Sequence, residues 1–150
     1  MRKLLLFFVL LVSFIGVTAQ VEAPRSIKWE RIHTWKNKTV KAYVDSSSIK
    51  LVKDEGDDYS FGMVLFYRDN PVEFDVHTES VTANIFAGYF AANCTDNKLA
   101  TVSEFYFNLN RLPNIMDEPL RAFDYSDDIH EVHGVSKDDP ILNALCIKYI

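Results

Sequence analysis

From Tyr59 to Tyr67 every second residue is large and apolar: Tyr59, Phe61, Met63, Leu65 and Tyr67. A repeat of two puts all five on one face of an extended chain, whereas a helix would scatter them. That run commits the middle of the chain to a β-strand, and a strand needs neighbours. Other segments offer them. Ile27 to Trp35 reads as a first strand with two tryptophans, and Asn37-Lys38 as a turn. Thr39 to Asp45 alternates, with Val40, Ala42 and Val44 on one side and Lys41, Tyr43 and Asp45 on the other. Ser46-Ser47-Ser48 turns the chain into a short strand, Ile49 to Val52, and Lys53 to Asp58 reads as a polar hairpin tip.

Arg68-Asp69-Asn70-Pro71 reads as the end of the aromatic strand, because proline cannot donate to a ladder. Beyond it, Thr78 to Asn93 parses less cleanly, but Phe86, Phe90, Ala92 and Cys94 have the parity of one inner face. Thr95-Asp96-Asn97 is a turn signal. Leu99 to Leu109 is the next strand, mixed on both faces, which implies burial of both sides or a bulge. Pro113 and Pro119 bracket a loop, and Arg121 to Val135 reads as acidic and irregular. The end of the chain changes period. Ile141, Leu142, Leu145, Cys146 and Tyr149 recur at helical spacing, Pro140 suits a first turn, and Asp139 or Ser136 can cap it. The expected fold is α+β, mainly β: a curved antiparallel sheet with a short C-terminal helix packed on it.

Residues 1–19 are read as lying outside that fold. Met1-Arg2-Lys3 is basic, Leu4 to Ile15 is apolar apart from Ser13, and Val17-Thr18-Ala19 precedes Gln20. This is the order of a secretory signal peptide, with cleavage expected after Ala19. Ala23 is a second small residue, but Pro24 follows it. A membrane-spanning helix needs roughly 20 apolar residues, more than this run supplies. The expected product is one domain, residues 20–150, that is not an integral membrane protein once its leader is removed. It is expected in the periplasm, at the cell surface or secreted. No cysteine lies near Ala19 to take a lipid anchor. The chain carries −5, and the leader holds Arg2 and Lys3 and no acid, so the mature part carries −7. A domain of that sign repels phosphate backbones, so nucleic acid is not an expected partner.

The two cysteines, Cys94 and Cys146, are an even pair in an exported chain, and a disulfide is their simplest use. The alternative, a thiol nucleophile, needs a neighbouring base and a reducing compartment. Other constellations are weaker. His130-Glu131-Val132-His133 spaces its histidines by three, where the zinc-helix pattern needs four, so His130 and His133 are weak metal candidates and a surface loop is the simpler reading. Asp54 to Asp58 lacks the glutamate that a calcium loop needs at its twelfth position, where Leu65 stands. His33, His77 and the serines form no nucleophile elbow, and there is no glycine-rich phosphate loop. Neither cofactor nor catalytic residue is expected. Asn37-Lys38-Thr39 and Asn93-Cys94-Thr95 match the glycosylation sequon, as short motifs do by chance. Trp29, Trp35, Tyr43, Tyr59, Phe61, Tyr67, Tyr89 and Phe90 supply rings that serve as core or, where exposed, as a recognition surface.

Several of these features occur in a known order. A tryptophan strand at Trp29 leads to Tyr43-Val44-Asp45-Ser46-Ser47-Ser48-Ile49; the aromatic strand, Asn93-Cys94, Phe105-Tyr106-Phe107 and a serine-led terminal helix ending in Cys146 follow. Over residues 27–147 the chain resembles the bacterial surface-adhesin protein E family. The resemblance implies an antiparallel sheet bridged to a C-terminal helix through Cys94 and Cys146. It also implies a non-catalytic, adhesin-like role in binding host matrix or plasma proteins such as laminin, vitronectin and plasminogen. No family ligand-contacting residue maps onto a motif here. Two other functions are held beside this one: a periplasmic carrier of a small apolar ligand such as haem between helix and sheet, and a hydrolase.

Overall fold

The computed structural model describes residues 26–35, 37–54, 56–125 and 133–146. They form β1 (Trp29–Thr34), β2 (Val40–Asp45), β3 (Lys50–Asp54), β4 (Asp57–Val76), β5 (Glu79–Asn93), β6 (Lys98–Phe107), β7 (Arg121–Asp124), β8 (His133–Gly134) and one helix, α1 (Pro140–Cys146). All strand pairs are antiparallel. The order is β1-β2-β4-β5-β6-β7, with β3 on β4 and β8 on β6. The long hairpin β4–β5 is the spine, and shorter strands share its flanks: β3 pairs with Asp57–Phe61 and β2 with Val64–Arg68.

The proline does not end the aromatic strand. β4 runs on to Val76, and Arg68 to Pro71 form a wide bulge: Tyr67 opposes Ile85, and the next paired residue, Val72, opposes Ala83. A proline inside a bulge breaks no ladder bond. The Lys53–Asp58 tip is tighter than its composition implies, because β3 and β4 pair up to Asp54 and Asp57, and Gly56 turns the chain at φ +96°. Within the acidic stretch after Arg121, residues 121–124 and 133–134 are strands rather than irregular chain.

Two smaller bulges decide which side chains face where. In a regular strand Trp29 and Trp35 would share a face. An extra residue at Ile32 shifts β1 between Arg31 and His33, so Trp29 packs with Leu65, Ile85 and Phe107 on one face while Trp35 meets Phe66 on the other. An extra residue at Val102 does the same in β6, turning Leu99 and Tyr106 to the face that Phe105 and Phe107 leave.

The helix lies on the even-numbered face of β4, opposite the aromatic alternation. There Ser60 and Gly62 are small enough to let it approach, and Leu142 and Leu145 enter a cluster with Val44, Val64, Phe90, Ala92 and Leu99. Phe86 and Cys94 border that cluster, as the parity of β5 requires. Asp139 is the cap: its Oδ1 accepts from the Ile141 and Leu142 N–H groups at 2.9 and 3.1 Å. At the other end the buried Ser60 hydroxyl donates to the Leu145 carbonyl at 2.6 Å. Cys94 and Cys146 are bonded, closing a span of 52 residues.

The Asp45-Ser46-Ser47-Ser48 segment has a structural use. Asp45 is 5% exposed, and its Oδ1 accepts from the N–H groups of Lys28 and Ser47 and from the Ser47 hydroxyl. Ser48 Oγ donates to the Asp45 carbonyl and accepts from Met63 N–H. The motif therefore ties β1, β2 and β4 together at one corner.

Candidate functional site

The helix covers only part of its face, and what continues beyond it is a row of rings. Phe66, Phe86 and Tyr106 are direct cross-strand partners on β4, β5 and β6. Their centroids step 5.6 and 5.4 Å. Such spacings lie in the favourable range for aromatic pairs. Phe74 lies against Phe86 and Tyr106, Phe123 against Tyr106, and Trp35 continues the row from Phe66 at 6.0 Å. Burial falls away along it, from Tyr106 at 4% exposed to Trp35 at 37%. The row thus runs from core to solvent.

At its exposed end the row lines an open cleft of about 810 Å³. Trp35 and Phe66 form the apolar wall, and His33, Thr34, Asn37 and Arg68 the polar rim. The His33 ring meets Trp35 edge-on at 4.6 Å, which holds the indole in place. Asn37 Oδ1 accepts from Thr39 N–H, and Lys38 takes φ 58°, so the turn beside the cleft is held from within.

The far end of the row closes in a polar knot. Tyr106 and Tyr125 both donate to Glu104 Oε2, at 3.0 and 3.2 Å, and His77 Nε2 lies 2.8 Å from the Tyr125 hydroxyl. As a carboxylate Glu104 only accepts, so the Tyr125 proton points to it and His77 presents an N–H to the Tyr125 oxygen. Burial first, then the adjacent Glu104 charge, raises both phenols: Tyr125 to about 12, and Tyr106 further. The knot fastens the β4–β5 turn, where His77 takes φ 54°, to the chain after β7.

The opposite face carries a smaller recess of about 240 Å³ between Trp29, Met63, Ala87, Phe105 and Pro113. Trp29 Nε1 donates to the Pro113 carbonyl at 2.8 Å and pins the following loop. That loop presents Ile115 and Met116 at 52% and 81% exposed, yet it is internally tied. Arg111 grips Asp117 with both terminal nitrogens at 2.6 Å, and Asn114 N–H donates to the same carboxylate. These bonds, Arg111's first, hold the Asp117 carboxyl down at about 2. A depressed acid contributes fully above its ordinary value near 3.8 and loses that contribution as the pH falls toward 2. Amide exchange at Asn114 should therefore rise between pH 4 and pH 2, beyond the intrinsic pH trend. The Asp117→Asn variant should exchange fast at both ends, and an unchanged profile would remove the clamp.

Of the residues singled out from sequence, Cys94 and Cys146 are brought together. Of the metal candidates, His133 sits on β8 opposite Leu99, and His130 lies outside the described residues, as do Ala19 and the leader. Among the described residues no three His, Cys, Asp or Glu side chains are grouped to hold a metal, and no helix is long and apolar enough to cross a membrane. Asp57 accepts from Tyr59 and Asn93, so it braces the hairpin. Asn93 is 9% exposed and bonded through both side-chain atoms, which leaves no room for a glycan on the folded domain.

No family model matches the chain, and no curated protein matches it. Solved structures do. The chain is similar to protein E of Haemophilus influenzae. Its selenomethionine form is 17% identical with a TM-score of 0.47, over 83% of this chain and 90% of that one. Crystal form II of protein E gives 17% and 0.48 over 85% and 95%, and a third protein E structure 19% and 0.45 over 85% and 92%. At such identities the site is defined by this chain's own residues. The row Phe66–Phe86–Tyr106 was hidden in the sequence because its members lie about twenty positions apart. The signal that finds it is register: hairpins β4–β5 and β5–β6 place one ring beside the next.

Proposed function

We propose that this is an exported, non-catalytic, adhesin-like domain that binds other proteins through the aromatic cleft on its helix face. The carrying observation is the row of rings that leaves the core and ends at a one-third-exposed tryptophan in an open cleft. Large rigid rings give contact area at little entropic cost, the property that makes them binding hot spots. The bonded cysteines support an oxidising compartment. Against a carrier that holds its ligand between helix and sheet stands the close approach of the two, with Leu145 where a side chain on Gly62 would stand. The recess on the other face, about 240 Å³, is below the ~300–1,000 Å³ range of usual small-ligand pockets, while the aromatic cleft, about 810 Å³, lies within it, so a haem-binding assay belongs beside the protein-binding one.

Host matrix or plasma proteins are the partners to try first. The oxidised protein should bind an immobilised matrix protein with saturation. Trp35→Ala should weaken that binding at least tenfold while leaving the melting temperature within a few degrees, since Trp35 lies at the margin of the core. Equal binding by wild type and Trp35→Ala would refute the cleft as the binding surface.

A further inference from the structure

Five cations among the described residues are neutralised by a neighbouring acid: Lys41 by Asp69, Lys53 by Asp58, Lys98 by Asp96, Arg111 by Asp117 and Arg121 by Glu79. Arg68 belongs with Lys28, Arg31, Lys38, Lys50 and Lys137, the described cations that no acid neutralises. Among those six it is the one that lines the cleft, beside Phe66. The acid next to it in sequence, Asp69, is engaged by Lys41 at 2.9 Å, and Lys41 also lies over the Tyr67 ring. In a chain of net charge −5, an unpaired guanidinium at the rim of an apolar cleft is a locally inverted charge. A guanidinium fork matches a carboxylate with two parallel hydrogen bonds, and next to apolar surface it is partly desolvated, which strengthens that match.

We propose that the cleft recognises a protein segment presenting an aromatic side chain next to a single carboxylate. The ring stacks against Trp35 and Phe66, and the carboxylate is held by Arg68. A single carboxylate, rather than an acidic run, is what the charge distribution favours: the net charge of the domain repels polyanions at long range, while Arg68 acts at contact. This rests on the protein-binding function proposed above and adds the chemistry of the partner.

The test uses the oxidised protein and a short fluorescently labelled peptide with one Phe-Glu pair in a Gly/Ser background. Its Phe-Gln and Ser-Glu analogues are the controls, and anisotropy is the readout. The Phe-Glu peptide should bind saturably, and each analogue at least tenfold more weakly. Arg68→Gln should bind Phe-Glu and Phe-Gln alike, and Arg68→Lys should keep part of the preference for Glu. Equal binding of Phe-Glu and Phe-Gln by the wild type overturns the proposal. So does an unaltered preference in Arg68→Gln whose melting temperature matches wild type. The two readings fail separately. Trp35-dependent binding of a matrix protein that Arg68→Gln leaves intact sinks the carboxylate and spares the protein-binding function. Loss of Trp35 dependence sinks both.

Discussion

Replacing Cys94 by serine should lower stability by about 4 kcal/mol, the chain-entropy value for a loop of this length. The bridge joins the turn after β5 to the last described residue of α1, across a sequence separation of 52. In the unfolded chain that crosslink removes many conformations, and cutting it restores them. For a domain of this size the loss corresponds to a fall of on the order of 15 °C in melting temperature. The native side of the balance adds to the effect. A seven-residue helix does not persist in water without tertiary support, and α1 has three anchors: the bridge, Leu142 with Leu145, and the hydrogen bond from Ser60. Cys146→Ser should match Cys94→Ser closely, because either change removes the same constraint. Thermal unfolding of both variants, beside wild type with and without reductant, checks this. A wild type that melts at one temperature in both states would contradict it.

The strands of this fold were legible because alternation is a local signal. Tyr59 to Tyr67 and Thr39 to Asp45 declare their faces without reference to any neighbour. The helix was legible for the same reason: Asp139, Pro140 and the Leu142/Leu145 stripe are a start signal and an apolar face within a few residues. What sequence could not give was register. A bulge is a property of two strands, and three of them re-aim side chains here. Ile32 parts the two tryptophans, Val102 turns Tyr106 toward Phe86, and Arg68 to Pro71 let β4 continue past a proline. The cleft follows from those shifts. Trp35 reaches Phe66 because β1 carries one residue too many, and Arg68, paired with Val40 two residues beyond Phe66, stands on the same face at the rim. The aromatic alternation also misdirects a reader who places the helix on the more apolar face of β4. The helix chose the side with Ser60 and Gly62, where the backbone can be approached.

That choice leads to the second large effect. Leu145 is fully buried, and its Cδ2 would lie 2.7 Å from a Cβ built on Gly62, with Ile49 Cγ1 at 3.3 Å. The leucine fills the space that the missing side chain leaves. Leu145→Ala should therefore cost about 3 kcal/mol, from lost burial plus the hole left against β4. Gly62→Ala in the wild-type background should cost about 1–3 kcal/mol, because the added methyl must push Leu145 or the helix away from the sheet. The decisive measurement is the double variant. With Leu145 shortened, the Gly62→Ala methyl enters space that is now empty, and alanine also restrains the unfolded chain more than glycine does. The pair should then be more stable than the sum of the single losses by about 1–2 kcal/mol, within the range of couplings between touching residues. Chemical denaturation of wild type, both singles and the double gives that coupling directly. Additive losses would mean that Gly62 and Leu145 do not meet, and that α1 lies elsewhere on the sheet.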